Sequence, residues 1–205
     1  MCLITKMKVS TIAKKPITCY KVIHKDMSSL YHDDFKWEFG KMYTSWIEAF
    51  ERKTNNDYTI HQAFHSYKTL EDLKRAYDMA TEPCLTVKCT IPKGSRVYKG
   101  KHGSIEGYAS NQLIINKVID VKELYPDFDW DNYPYKEGQV IQIKISDDKV
   151  WEDYQIMNIS VFNKSRAYLL VNNCSNLGLG FINTTFDKGT WVANHSVRLK
   201  ENKEV

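Results

Sequence analysis

CLTVKCTIPKGSRVYKGKHGSIEGYASNQLIINKVI, residues Cys84 to Ile119, is the stretch from which the fold is read. Leu85, Val87, Cys89 and Ile91 alternate with Thr86, Lys88 and Thr90, which predicts a strand buried on one face. Pro92-Lys93-Gly94 stops it, because Pro presets φ for a turn and Gly accepts conformations closed to other residues. Val97 to Lys99 resumes the extended pattern, and Gly100, Gly103 and Gly107 predict a loosened loop. Gln112 to Val121 then reads as a long apolar strand, its Leu113-Ile114-Ile115 run suited to the centre of a sheet.

Upstream, Leu70, Leu73, Ala76 and Tyr77 form one helical stripe within Lys68 to Met79. Thr69 followed by Asp72 predicts a capping box, with Asp in place of Glu or Gln, and Pro83 ends the helix. Ile17 to Ile23 alternates after Pro16 and predicts a first strand; Ala63 to Tyr67 predicts another leading into the helix. Phe35, Trp37 and Phe39 alternate up to Gly40, as in a short edge strand. Ser45 to Lys53 predicts one or two helical turns before the Thr54-Asn55-Asn56-Asp57 loop.

Downstream the composition changes abruptly at Tyr125 to Gly138, YPDFDWDNYPYKEG, which is acidic and aromatic. Beyond it, residues 140–145, 154–161, 166–171, 180–185 and 190–199 predict short strands separated by turn signals. The expected class is therefore α+β: a first domain over 1–124 with a mixed or antiparallel sheet and one clear helix, an aromatic and acidic linker over 125–138, and a small all-β barrel or sandwich over 139–205.

Composition bounds the function. The 205 residues are 42% hydrophobic and 26% charged, which suits packed globular structure rather than disorder. No apolar run reaches membrane-spanning length, and the N-terminal MCLITKMKVSTIAKK has no sustained apolar core of a secretory signal. Cys2, Cys19, Cys84, Cys89 and Cys174 form an odd set without C-x-x-C spacing, which fits reduced thiols in a cytosol-like compartment. Residues 1–124 hold 20 Lys/Arg against 14 Asp/Glu, whereas residues 125–205 hold 9 against 11. The basic half either faces a nucleotide, nucleic acid or acidic partner, or carries charge for solubility alone.

No P-loop, no G-x-G-x-x-G opening a helix and no H-E-x-x-H pairing is present, so the usual nucleotide, dinucleotide and metalloprotease signatures are absent. No metal site is expected. His65 beside Ser66 reads either as a ligand-gripping or acid/base pair, or as a strand histidine satisfied by a neighbour. Lys93, Arg96, Lys99 and Lys101 with Tyr98 form the best surface for nucleic acid, with few charges for that task.

Tyr20-Lys21 on a first strand, His65-Ser66 on a middle strand and Tyr108-Ala109-Ser110-Asn111-Gln112 entering a late one follow an order that resembles the ADP-ribosyltransferase-like fold over residues 17–121. The resemblance implies NAD or a related nucleotide held by Tyr20, Lys21, His65, Ser66, Tyr108, Ser110 and Gln112. Lys21 stands where that family has Arg or His, and Asn111 and Gln112 stand where it has a carboxylate. An amide cannot stabilise an oxocarbenium charge as a carboxylate does, so binding without chemistry is the expectation. The motifs CYKVI, FHSY, CTIPKGS and YASNQLIIN also resemble a family of small proteins of bacteriophages and gut bacteria. No activity travels with that likeness, which implies only an accessory role such as host interaction or anti-defence. With the basic first-domain pocket, the expectation is a non-catalytic protein of the host cytosol that binds a nucleotide-like ligand or a host protein. An NAD-dependent ADP-ribosyltransferase and a virion or assembly protein are the alternatives.

Overall fold

The structure is a computed structural model that describes residues 2–30, 32–51, 57–79, 84–144, 151–163, 166–174, 179–187, 190–193 and 196–199. Two units divide these residues: one holds those up to 79 and 84–120, the other those from 121 onward. Residues 125–138, read from sequence as a linker, lie inside the second unit.

The first unit contains β1 (Leu3–Thr5), β2 (Thr11–Ile12), β3 (Ile17–His24), β4 (Ser28–Ser29), β5 (His32–Lys36), β6 (Met42–Thr44), β7 (Ala49–Glu51), β8 (Tyr58–Ile60) and β9 (Phe64–Tyr67). The helix α1 (Leu70–Asp78) follows, then β10 (Cys84–Ile91), β11 (Arg96–His102), β12 (Ile105–Ser110) and β13 (Gln112–Ile119). One large sheet runs β6-β13-β10-β3-β9-β12-β11-β1-β8-β7, with β2 beside β11, and every strand pairing in it is antiparallel. β4 and β5 form a separate hairpin.

The α+β expectation is corrected: the described residues hold nineteen strands against two helices, of nine and four residues, so the protein is mostly β. The reason is strand length. β1, β2, β6, β7 and β8 are two or three residues each, too short for a readable period of two. The helical turns expected over 45–53 are instead strand β7, paired with β8 through Ala49↔Ile60; residues 52 and 53 lie outside the described residues. The expected glycine loop is a hairpin of β11 and β12 that turns at Gly103, φ 63°. The strand expected at the sheet centre, β13, lies next to the edge strand β6.

The two ends of the large sheet, β6 and β7, are joined by residues 45–48 alone. Five Cα steps span at most ~18 Å. Ten flat strands would hold those edges ~43 Å apart at ~4.8 Å spacing. The sheet therefore curls strongly. On one side Cys19, Ile23, Val87, Cys89, Leu113 and Ile115 pack with Trp37 and Tyr108. Another cluster joins Leu3, Ile47, Ile60, Tyr98 and Ala109. Helix α1 starts as the sequence predicts: Thr69 Oγ1 accepts from the Asp72 amide at 3.1 Å, and the Asp72 carboxylate accepts from the Thr69 amide at 3.2 Å.

In the second unit a four-residue helix α2 (Val121–Leu124) precedes β14 (Val140–Lys144), β15 (Glu152–Asn163), β16 (Arg166–Asn173), β17 (Leu179–Asp187), β18 (Thr190–Ala193) and β19 (Ser196–Leu199). Their sheet runs β18-β17-β16-β15-β14-β19, and only residues 194 and 195 separate its two edge strands. It curls into a half-barrel. The run 190–199, expected as one strand, is these two opposite edges. Phe128, Tyr133 and Tyr135 are buried, and the Tyr133 hydroxyl lies 2.9 Å from Thr184 Oγ1, which donates to the Ala167 carbonyl.

Candidate functional site

Three neighbouring strands, β3, β9 and β12, carry most of the residues singled out in the sequence. Register pairs Tyr20 with Tyr67, Ser66 with Tyr108, His65 with Ala109 and Phe64 with Ser110. Alternation along β3 sets Cys19, Lys21 and Ile23 on one face and Tyr20 and Val22 on the other. Along β9 it sends Ser66 and His65 to opposite faces. The seven expected ligand residues are therefore split between two sides of the sheet. Lys21, Ser66, Tyr108 and Ser110 are buried. Gln112 sits on β13 with its side-chain Oε1 3.0 Å from Ser95 Oγ, where it braces the Pro92 turn rather than the β3–β9 region.

Lys21 is the unusual group. It is 9% exposed, its ammonium donates to the His65 carbonyl at 2.9 Å, and it stands 5.5 Å from the Trp37 ring centre. No carboxylate pairs with it among the described residues. Burial pushes its pKa down, partly opposed by the neighbouring Cys89 and Cys19 thiols. Cys19 and Cys89 face each other across β3 and β10 and are both free. Burial pushes the Cys89 thiol up, with Cys19 adding to the rise. Burial also raises Cys19, yet Cys89, Ser66 and the Lys21 charge leave it lowered.

Two further donors beside this group have no partner. Trp37 Nε1 and Ser66 Oγ are both fully buried without a hydrogen bond; Ser66 lies close enough to bias Cys19, but not at bonding geometry. Orphaned buried polar atoms are uncommon, and each calls for a reason. Sequence reading missed Trp37 and Cys19 because both fit a plain strand pattern. Only the fold brings them to Lys21.

Two more orphans are imidazole nitrogens, His65 Nδ1 and His102 Nε2. The rings lie 5.2 Å apart at 63°. Burial lowers His65 to about 3, helped by His102 and Lys21, and lowers His102 to about 4. Among the described residues no three His, Cys, Asp or Glu side chains are grouped to hold a metal ion.

The basic turn is divided. Lys93, Arg96, Lys99 and Lys101 are exposed, but Tyr98 is 2% exposed in the core with Leu3 and Ile60, so it offers no face for base stacking. No helix of the described residues is long and apolar enough to cross a membrane. The chain matches no protein-family model, no curated protein and no solved structure.

Proposed function

We propose that the protein is a non-catalytic binding protein whose first unit seats the anionic group of a nucleotide-like ligand on Lys21, Ser66 and Trp37. The observation that carries this reading is a buried lysine with no carboxylate beside two orphaned buried donors. An ammonium, a hydroxyl and an indole N–H all donate, so the complementary group is acceptor-rich and negatively charged, as in a phosphate. Binding would favour the charged state of Lys21 against the burial that disfavours it, and satisfy both orphans together. The motif likeness to bacteriophage and gut-bacterial proteins supports an accessory, host-interaction role in the host cytosol. An NAD-dependent transferase is disfavoured, because Gln112 braces a turn and supplies no carboxylate.

Thermal-shift measurements with NAD, ADP-ribose, cyclic nucleotides and short oligonucleotides test this. A ligand at a hundred times its dissociation constant adds ~2.7 kcal/mol of apparent stability. The expected result is a shift with a nucleotide that is lost in Lys21→Met and reduced in Ser66→Ala. Absence of a shift with every nucleotide, in a folded sample, refutes the reading.

A second reading, capture of a host protein, is favoured by the exposed Phe39, Met42, Trp46 and Phe50, all within residues 39–50. Loss of a host partner in Trp46→Ser, with nucleotide shifts unchanged, would support it.

A further inference from the structure

We infer that His65 and His102 form a two-nitrogen site for a single late first-row transition ion, such as Zn2+, whose other coordination positions are taken by water. The inference starts from hydrogen bonds on the far side of each ring. His65 Nε2 lies 3.3 Å from the His61 carbonyl, and His102 Nδ1 lies 3.3 Å from the Cys2 carbonyl. A carbonyl oxygen only accepts, so each of these nitrogens carries the proton of its ring. In a neutral imidazole the other nitrogen is then a bare lone pair. Those other nitrogens, His65 Nδ1 and His102 Nε2, are both buried and without a hydrogen-bond partner. Two acceptors close together cannot satisfy each other. They require a shared electron-pair acceptor or donor hydrogens from a third species.

Three features favour a metal ion. First, a backbone carbonyl on the distal nitrogen is the usual outer support of a metal-binding histidine, fixing both tautomer and ring direction. Here the two supporting carbonyls belong to Cys2 and His61, whose side chains meet with Sγ 3.0 Å from Nδ1. That contact holds the two supports as one piece. Second, His102 is directed toward its partner. An added Cβ on Gly107 would lie 2.8 Å from His102 Cδ2 and 3.0 Å from Nε2, so the imidazole lies across β12 at the one residue without a side chain. Its unprotonated edge leads toward β9, where Gly107 pairs with Tyr67, two residues from His65. Third, the spacing fits. A metal bound at ~2.0–2.1 Å sits ~3.2 Å from each ring centre, so rings 5.2 Å apart subtend ~110° at the metal, near tetrahedral.

A sequence search for paired histidines misses this site, because His65 and His102 are 37 positions apart on strands that are not adjacent. It is also separate from the proposed anion seat, since Ser66 and His65 face opposite ways.

The test uses the full chain without a polyhistidine tag, freed of metal by chelator and titrated with Co2+ and then Zn2+. One equivalent should bind, with visible cobalt bands of nitrogen–oxygen ligation that Zn2+ abolishes. His65→Gln and His102→Gln should each weaken binding at least ~10-fold, the scale set by losing even an outer partner. Long-range 15N–1H spectra of the wild type provide a readout that needs no variant. Without metal, His65 should carry its proton on Nε2 and His102 on Nδ1, and Zn2+ should move His65 Nδ1 and His102 Nε2. Binding no tighter than in the double variant overturns the inference. So does a thiolate-to-cobalt band lost in Cys2→Ser, or the opposite tautomers. Lys21→Met should leave the one-to-one stoichiometry and the cobalt bands unchanged, with binding no weaker because a nearby positive charge is removed, which separates this site from the nucleotide reading.

Discussion

Replacing Lys21 by methionine should leave the protein as stable as before, or make it more so. The physical reason is that Lys21 holds an amine out of water with one hydrogen bond, to the His65 carbonyl, and one aromatic contact, to Trp37. Isolating a polar group from water costs ~1–3 kcal/mol by protein mutational data. Losing the hydrogen bond costs ~1 kcal/mol. Methionine has nearly the same length and flexibility and fills the same space against Cys19, Cys89 and Trp37. The net effect is ~0–2 kcal/mol of added stability, or ~0–8 °C in Tm for a unit of this size. The pH dependence gives a sharper signature. Burial holds the folded-state pKa of Lys21 below its unfolded value, so the unfolded chain binds more protons between the two. Wild-type stability should therefore rise with pH over that window, up to the unfolded lysine pKa of ~10.4. Lys21→Met removes this contribution, and its advantage should be largest below the folded pKa and shrink toward pH 10. The assay is chemical denaturation of both proteins at several pH values. A loss of more than ~1 kcal/mol at neutral pH would refute the reasoning, because the amine would then stabilise the fold rather than await a ligand.

Acid should destabilise the first unit early. His65 and His102 are held to about 3 and about 4, below the ordinary ~6.5, so stability present above that value is lost as pH falls toward 4. The loss is ~1–2 kcal/mol per histidine at pH 5, and denaturation from pH 7.5 to 4.5 should show a shallower slope in His102→Gln. Gly100→Ala should cost at least ~2 kcal/mol in thermal unfolding, since the new Cβ would meet the Ile4 carbonyl oxygen at 2.2 Å and Leu3 Cγ at 3.0 Å. Thr69→Ala should cost ~1 kcal/mol by opening the capping box of α1, read as a lower denaturation midpoint with an unchanged m-value. Tyr133→Phe should cost ~1 kcal/mol in the second unit by removing the buried bond to Thr184 Oγ1, which keeps its own bond to the Ala167 carbonyl.

Local signals in the sequence were sound where an element was long enough to show its period. The capping box at Thr69 and Asp72, the α1 stripe and the β3 and β10 strands all form as their residues indicate. Val87, Cys89 and Ile91 are buried as alternation predicts, but Leu85 is only half-buried and Thr86, expected on the solvated face, is buried with its hydroxyl donating to the Ile119 carbonyl. The class was misread because two- and three-residue strands hold their place by sheet pairing rather than by their own pattern. Residues 45–53 illustrate this. Their composition suits a helical turn, yet Ala49 to Glu51 pair with β8 at the sheet edge. The candidate site was legible only in part. Lys21, His65 and Ser66 were singled out on the right strands, but a motif order does not say which face each side chain takes. Gln112 lost its ligand role to a turn contact with Ser95. His102 carried no signal at all, because its reach to His65 depends on Gly107 two strand positions from its pairing partner Ile105.

Each unit rolls its sheet so that consecutive short strands become opposite edges: β6 and β7 in the first, β18 and β19 in the second. Such curling lets a thin, mostly β unit bury groups that a flat sheet would leave wet. Buried polar groups are then costly unless paired, and most here are. Thr86, Thr184 and Ser110 donate to backbone carbonyls of Ile119, Ala167 and Gln112. The unpaired ones in the first unit are not scattered. Trp37 Nε1, Ser66 Oγ, His65 Nδ1 and His102 Nε2 all belong to residues that touch Lys21, Cys19 or each other. A fold that satisfies hydroxyls elsewhere by simple backbone bonds has no packing reason to leave these four polar atoms bare as two pairs. The donors lie on the Lys21 face and the lone pairs on the His65 face, so the two sets cannot serve one another. They call for two occupants of opposite character, an anion and an electron-pair acceptor; Lys21→Met should abolish binding of the first and His102→Gln weaken the second, each leaving the other occupant bound.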